Sequence, residues 1–226
     1  MMNFALCFLA YGDEHINEFN DVSNNILLHN PEVHIFVLTN DVSKIDNPSV
    51  TIIETQEEFN FNLKRYVVGE AFKQYDTIIL LDTDIRINAS FNFINQIETD
   101  GMYVKWVDPQ LTHKGVRLNN QNNEYCIQLN KLNNNFLPIQ FIPEFCVIIK
   151  ITDIQKRMEF IERWGEIHNT IKEIEPTDRH YNLNGAIEGC IMFLSCLDNN
   201  IPIIANEGLF QSITHYASTQ FVKHLV

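Results

Sequence analysis

Three mainly apolar runs constrain this chain more than any other feature of its sequence. They are FALCFLA at Phe4–Ala10, which is continuous, VHIFVLT at 33–39 and TIILL at Thr77–Leu81. A strand with one wet face alternates apolar and polar residues. A strand without that alternation must be covered on both faces, as happens in parallel sheets wrapped by helices. Each run stops at residues that apolar packing cannot accept: Tyr11-Gly12, Asn40-Asp41 and Asp82-Thr83-Asp84. Helical spacing fills the intervals. Ile16, Phe19, Val22, Ile26 and Leu27 share one face across residues 13–29, and Asn30-Pro31 ends that helix. Leu63, Val67, Val68 and Phe72 do the same across residues 62–74. With a short strand at 50–54, the order is β-α-β-β-α-β. That order predicts an α/β fold with a doubly wound, mainly parallel sheet flanked by helices. Ligands of such sheets bind beyond the carboxyl ends of the strands. The three polar strand ends are therefore predicted to converge in space.

The second half is less regular. Residues 105–140 are polar and asparagine-rich and read as loops or an inserted lobe. A further strand is predicted at 145–151 (FCVIIKI). Ile154, Met158, Ile161, Trp164 and Ile167 mark an amphipathic helix at 153–173. A buried helix at 188–197 and a short strand at 201–204 follow. No repeat or linker interrupts the 226 residues, so a single domain over 1–226 is expected.

Composition narrows the function. The net charge is −13, and the longest basic pair is Lys64-Arg65, so a nucleic-acid backbone would be repelled. An acidic protein can still take a phosphorylated small molecule when a divalent cation mediates. The five cysteines are odd in number and show no CxxC spacing, which suggests reduced core thiols and a cytoplasmic location. The apolar N-terminus lacks a basic leader and reads as a first strand. No run is long enough to span a bilayer.

Asp82 and Asp84 lie one residue apart just past the most apolar strand. Buried without partners, each would cost several kcal/mol, by the order of magnitude found for buried ions. A turn after the strand lets both face one hard cation, Mn²⁺ or Mg²⁺, which prefers oxygen ligands and keeps places for phosphates. The plainer reading has the two carboxylates capping a helix or holding a turn.

The segment from Asn62-Leu63-Lys64-Arg65-Tyr66 through Tyr75-Asp76-Thr77-Ile78-Ile79-Leu80-Leu81-Asp82-Thr83-Asp84 resembles the nucleotide-sugar half of GT-A glycosyltransferases, especially the glycogenin-like, family-8-type enzymes. Thr214-His215-Tyr216-Ala217-Ser218 with Lys223 is similar to that family's late HxxGxxK segment, with Ser218 in place of the usual Gly and no Pro-Trp after Lys223. The resemblance implies a GT-A (Rossmann-like) fold, with residues 1–100 as the nucleotide-binding half and 101–226 as the acceptor and sugar half. It implies that Asp82, Asp84 and His215 hold Mn²⁺ (or Mg²⁺). It implies that Arg65 and Lys223 contact phosphates, and that Tyr11 and Asp41 lie where the nucleoside binds. Tyr11 and Asp41 are equally explained by ordinary turn chemistry, and Arg65 by a solvated helix charge. Glu188 stands where the family often has an acidic residue near the sugar. It could orient the donor, act as base, stabilise an oxocarbenium-like centre, or simply complement a helix N-terminus. The activity implied is transfer, with retention, from a nucleotide-diphosphate sugar, UDP-linked, to an unknown acceptor.

Three rivals share parts of this pattern. A haloacid-dehalogenase-type phosphatase also ends an apolar strand in DxD, but in its first strand rather than its fourth. A nucleotidyltransferase shares the sheet and the metal but carries a Gly-rich basic loop where Tyr11-Gly12-Asp13-Glu14 stands. A degenerate glycosyltransferase homologue would bind the nucleotide without transfer; Phe141-Ile142-Pro143-Glu144-Phe145-Cys146, in the place of the family's FNxG segment, has neither its Asn nor its Gly.

Overall fold

The computed structural model describes residues 4–87, 90–107, 124–133, 138–140, 142–143, 145–172, 188–211 and 213–215, with residues 61, 124–126, 172 and 214–215 described by backbone alone. The elements run in chain order as β1 (Phe4–Ala10), α1 (Gly12–His29), β2 (His34–Thr39), β3 (Thr51–Glu54), α2 (Lys64–Phe72), β4 (Thr77–Leu81) and β5 (Ile85–Ile87). The second half adds β6 (Gly101–Val104), α3 (Glu124–Leu132), β7 (Cys146–Lys150), α4 (Ile154–Lys172), α5 (Glu188–Asp198), β8 (Ile203–Ala205) and β9 (Ile213–His215).

Seven strands form one sheet in the order β3-β2-β1-β4-β7-β6-β8. β3, β2, β1 and β4 are parallel neighbours. β7 is antiparallel to both β4 and β6, and β8 runs parallel to β6. β7 therefore opposes the other strands of a mainly parallel sheet. The apolar runs behave as their composition requires. Ala5, Cys7 and Leu9 of β1 face a core shared with α2, α4 and α5, while Phe4, Leu6, Phe8 and Ala10 face a second core that includes Ile16, Phe19, Val22 and Ile26 of α1. Successive side chains of a strand point to opposite faces, so a strand between two helical layers buries every residue. All seven residues of β1 and all five of β4 are buried. Each large side chain so buried is worth about 1.5–3 kcal/mol relative to exposure.

The element order predicted for the first half is the one found. Four differences stand in the second half: β6 and β9 fall where no strand was predicted, and two concern helices. α3 lies within the stretch read as loops. The inward stripe of α4 also begins elsewhere than predicted: Ile154 is 60% and Met158 45% exposed, whereas Arg157, Phe160, Trp164, Ile167 and Ile171 are buried. The buried set repeats at three- and four-residue steps with an arginine in its first turn. Apolar spacing alone cannot show that.

Arg157 earns that position through hydrogen bonds. Its Nε donates to Ile151 O (2.7 Å), Nη1 to Phe72 O and Tyr75 O (2.7 and 3.0 Å), and Nη2 to Thr152 O (2.9 Å). One guanidinium thus satisfies the carbonyls at the end of α2, before β4 and after β7. Trp164 fills the middle of the same face, and its Nε1 donates to Asn62 Oδ1 at 2.9 Å. That bond fixes the 3₁₀ turn at Phe61–Leu63 from which α2 starts.

Arg157→Met preserves much of the stem's packing and removes the donors. Buried acceptors left unpaired cost about 1–3 kcal/mol each. The expected loss in unfolding free energy, read from urea denaturation, is about 3 kcal/mol or more. Arg157→Lys should recover little of it, because an ammonium cannot reproduce the planar fork. A loss in Arg157→Met too small to resolve would show that water replaces the guanidinium.

Candidate functional site

Every carboxyl end of the parallel strands points to one edge of the sheet, and the site is built there. The amide of Asp82 donates to Phe145 O at 3.0 Å, extending the β4–β7 ladder one step before the chain turns. Exposure then alternates: Asp82, Asp84 and Arg86 are half-buried, while Leu81, Thr83, Ile85 and Ile87 are buried. The two carboxylates thus share the accessible side of the chain, and Thr83 takes the inner side. On that inner side Thr83 Oγ1 donates to Glu18 Oε2 of α1 at 2.7 Å, and His15 Nδ1 lies 3.0 Å from the same oxygen.

The charged centre of the site is Lys64. This lysine is the first residue of α2 and only 3% exposed. Its Nζ donates to Asp82 Oδ1 at 2.6 Å and to Glu188 Oε2 at 3.4 Å. Glu188 is the first residue of α5 and 1% exposed, with Oε1 lacking a hydrogen-bond partner among the described residues. The end of β4 and the starts of α2 and α5 therefore meet at two carboxylates and one ammonium. The α5 N-terminus adds favourable dipole potential for the Glu188 carboxylate. Burial nevertheless dominates, and it pushes the Glu188 carboxyl up to about 8; Lys64 pulls it down and Asp82 raises it further.

The other residues named from sequence take varied places. Tyr11 caps the start of α1 at the end of β1, and its hydroxyl donates to Glu57 O at 2.9 Å while its ring packs on Phe59 with centroids 5.3 Å apart. Asp41 accepts from Ser43 N (3.1 Å) and Ser43 Oγ (2.6 Å) and pairs with Lys44 at 3.1 Å. The Ser43 hydrogen bond, then Lys44, hold its carboxyl below the ordinary value. This is turn chemistry at the end of β2. Arg65 sits one residue, hence about 100°, around α2 from Lys64. Its Nη2 donates to Tyr66 Oη at 2.6 Å, and its guanidinium occupies the space beside Gly165 of α4, where a Cβ would come within 2.4 Å of Nη1. The structure thus brings Lys64, not Arg65, to Asp82. The register of β5 with β9 sets the His215 backbone opposite Ile85, next to Asp84. Lys223 lies outside the described residues.

Lys64, Glu18 and His15 were not named as site residues from the sequence. A signal for Lys64 existed: positions 64, 67/68 and 71/72 share one helical face, so Lys64 continues the apolar stripe of α2 inward. Glu18 and His15 had no such signal, because their positions on α1 read as ordinary solvated ones.

No protein-family model matches the sequence, and no curated protein matches it. Solved structures do. The bifunctional glycosyltransferase WbbM, in its apo structure, matches with a TM-score of 0.51 and 12% identity over 97% of this chain and 43% of that one. The galactosyltransferase LgtC, in complex with donor and acceptor sugar analogues, matches with a TM-score of 0.48 and 11% identity over 88% of this chain and 72% of that one. An active-site mutant of LgtC matches with a TM-score of 0.47 and 11% identity over 88% of this chain and 71% of that one. The chain spans less than half the length of WbbM. At 12% identity the likeness to WbbM is one of fold alone, and the fold of this chain is GT-A.

Two outcomes follow from the buried charges. Glu188 holds its proton more tightly folded than unfolded, so the folded state binds more protons between the ordinary value of 4.5 and about 8. Stability then falls as pH rises through that window. In chelator, unfolding free energy should decline from pH 5 to pH 8, and Glu188→Gln should flatten the decline; an unchanged slope in that variant would assign the dependence elsewhere. Lys64→Met leaves Asp82 and Glu188 without their shared ammonium. Its expected cost is about 3–5 kcal/mol at pH 8, the usual range for a broken buried pair, and less at pH 5, where Glu188 is protonated.

Proposed function

We propose that the chain transfers a sugar from a nucleotide-diphosphate donor, UDP-linked, to an acceptor, with a divalent cation held by Asp82 and Asp84. The observation that carries this reading is the pair of half-buried carboxylates, Asp82 and Asp84, on one side of the chain just past β4. Lys64 holds Asp82 from the start of α2. Two carboxylates so placed offer oxygen donors, as Mn²⁺ and Mg²⁺ prefer. His215, whose backbone lies beside Asp84 in register, would add an imidazole, which suits Mn²⁺. When bound, the cation would offset the charge of the departing diphosphate.

The chain's own residues have distinct tasks in this reading. Lys64 holds the Asp82 carboxylate in one direction and keeps Glu188 from being a wholly uncompensated buried acid. Glu188, at the start of α5 with Oε2 on Lys64, would serve beside the donor sugar. Tyr11, with Phe59 against it, offers aromatic surface for a base at the end of β1. Lys223 would supply a cation to the diphosphate. A second reading, nucleotide binding without transfer, is favoured by one observation: Lys64 already places the protein's own cation on Asp82.

The test is a thermal-shift screen of nucleotides and nucleotide-sugars with and without Mn²⁺, followed by product analysis. A UDP-sugar with Mn²⁺ should raise the melting temperature, by the equivalent of about 2.7 kcal/mol at a hundredfold excess over Kd. Asp84→Ala should remove the Mn²⁺-dependent part. If no nucleoside diphosphate or its sugar shifts the transition in either condition, the proposal fails. Binding with neither transfer nor hydrolysis selects the second reading. Hydrolysis of a generic phosphoester, or preference for a nucleoside triphosphate, would instead identify a phosphatase or a nucleotidyltransferase.

A further inference from the structure

Thr83 stands between the two carboxylates that the preceding reading assigns to the cation, yet its side chain is turned from them into α1. It is 5% exposed. Its Oγ1 donates to Glu18 Oε2 at 2.7 Å, near the short distances of hydrogen bonds to an ionised acceptor. His15 Nδ1 lies 3.0 Å from that oxygen and 3.4 Å from Oγ1. His15 and Glu18 are three residues apart, so they project from one face of α1. The His15 ring is held in turn against Phe59, at 6.2 Å between centroids and 23° between planes. Glu18 is thus an acid set beside a site already rich in acids.

We propose that Glu18 is a positioning residue for the divalent cation, acting through Thr83. The inference rests on the cation reading of Asp82 and Asp84. A turn of two carboxylates with a free middle residue must be ordered when the cation arrives, which subtracts from affinity. Tying the middle side chain to a helix orders the turn beforehand and keeps both carboxylates on the accessible side. Groups of this kind, one bond behind the ligands, typically change metal affinity by about 10–100-fold when removed.

The experiment titrates Mn²⁺ into the metal-free full chain by calorimetry and measures thermal unfolding of the same proteins in chelator. Thr83→Val preserves shape and removes the donor; Glu18→Ala removes the acceptor; Thr83→Ser keeps the hydroxyl. Thr83→Val and Glu18→Ala should each weaken Mn²⁺ by about tenfold or more, with melting in chelator within a few degrees of wild type. Thr83→Ser should bind close to wild type. If Thr83→Val binds Mn²⁺ as wild type does while Asp84→Ala does not bind, Glu18 has no such role and the cation reading stands. If wild type itself binds no Mn²⁺, alone or with UDP, the cation reading fails and this proposal falls with it. A loss of affinity that Thr83→Ser does not restore also overturns it, because the hydroxyl is then not the agent.

Discussion

A strand buried on both faces has nowhere to keep a charge except at its ends. β4 is such a strand, with Ile78 and Leu80 in one core and Ile79 and Leu81 in the other. Neighbouring β1 obeys the same rule. The acidic residues that follow β4 are therefore driven to the sheet edge, and so are Tyr11 and the Asn40-Asp41 turn. The rest of the site is a response to that forced gathering. Charge repulsion between Asp82 and its neighbours must be met by something positive, and the start of α2 supplies Lys64.

Lys64 also sets the electrical character of the place. An ammonium at 3% exposure is rarely tolerated alone, and its two carboxylate partners are what make it tolerable. The pairing is uneven. The bond to Asp82 is short, that to Glu188 longer, and one Glu188 oxygen has no partner among the described residues. The centre is thus not fully satisfied within the described residues. The contrast is Arg157, each of whose three nitrogens finds a backbone carbonyl.

Much of this was legible in the sequence, and the reasons for the rest are physical. The parallel layer could be read because apolar runs such as FALCFLA admit few alternatives. Asp82 and Asp84 could be located because the run before them is so apolar. Lys64 and Arg65 are adjacent in sequence but separated by about 100° on the helix; only the fold decides which one turns inward, and it chooses the one that continues the Val67, Val68, Ala71 and Phe72 face. Arg157 defeated the apolar spacing of α4 because its burial depends on carbonyls from three other segments. α3 fell inside an asparagine-rich stretch whose composition reads as loop. Glu18 could not be seen because its partner, Thr83, is sixty-five residues away.

The reversed direction of β7 has a topological consequence. β6 runs with β4, so its last residue, Val104, finishes on the same edge as Asp82. β7 runs the other way, so its first residue, Cys146, begins on that edge, beside Leu81. Both ends of the interval 105–145 therefore meet the edge that carries Asp82, whereas Lys150, the last residue of β7, lies at the opposite end of the sheet. One inverted strand thus ties both ends of this interval to the same opening.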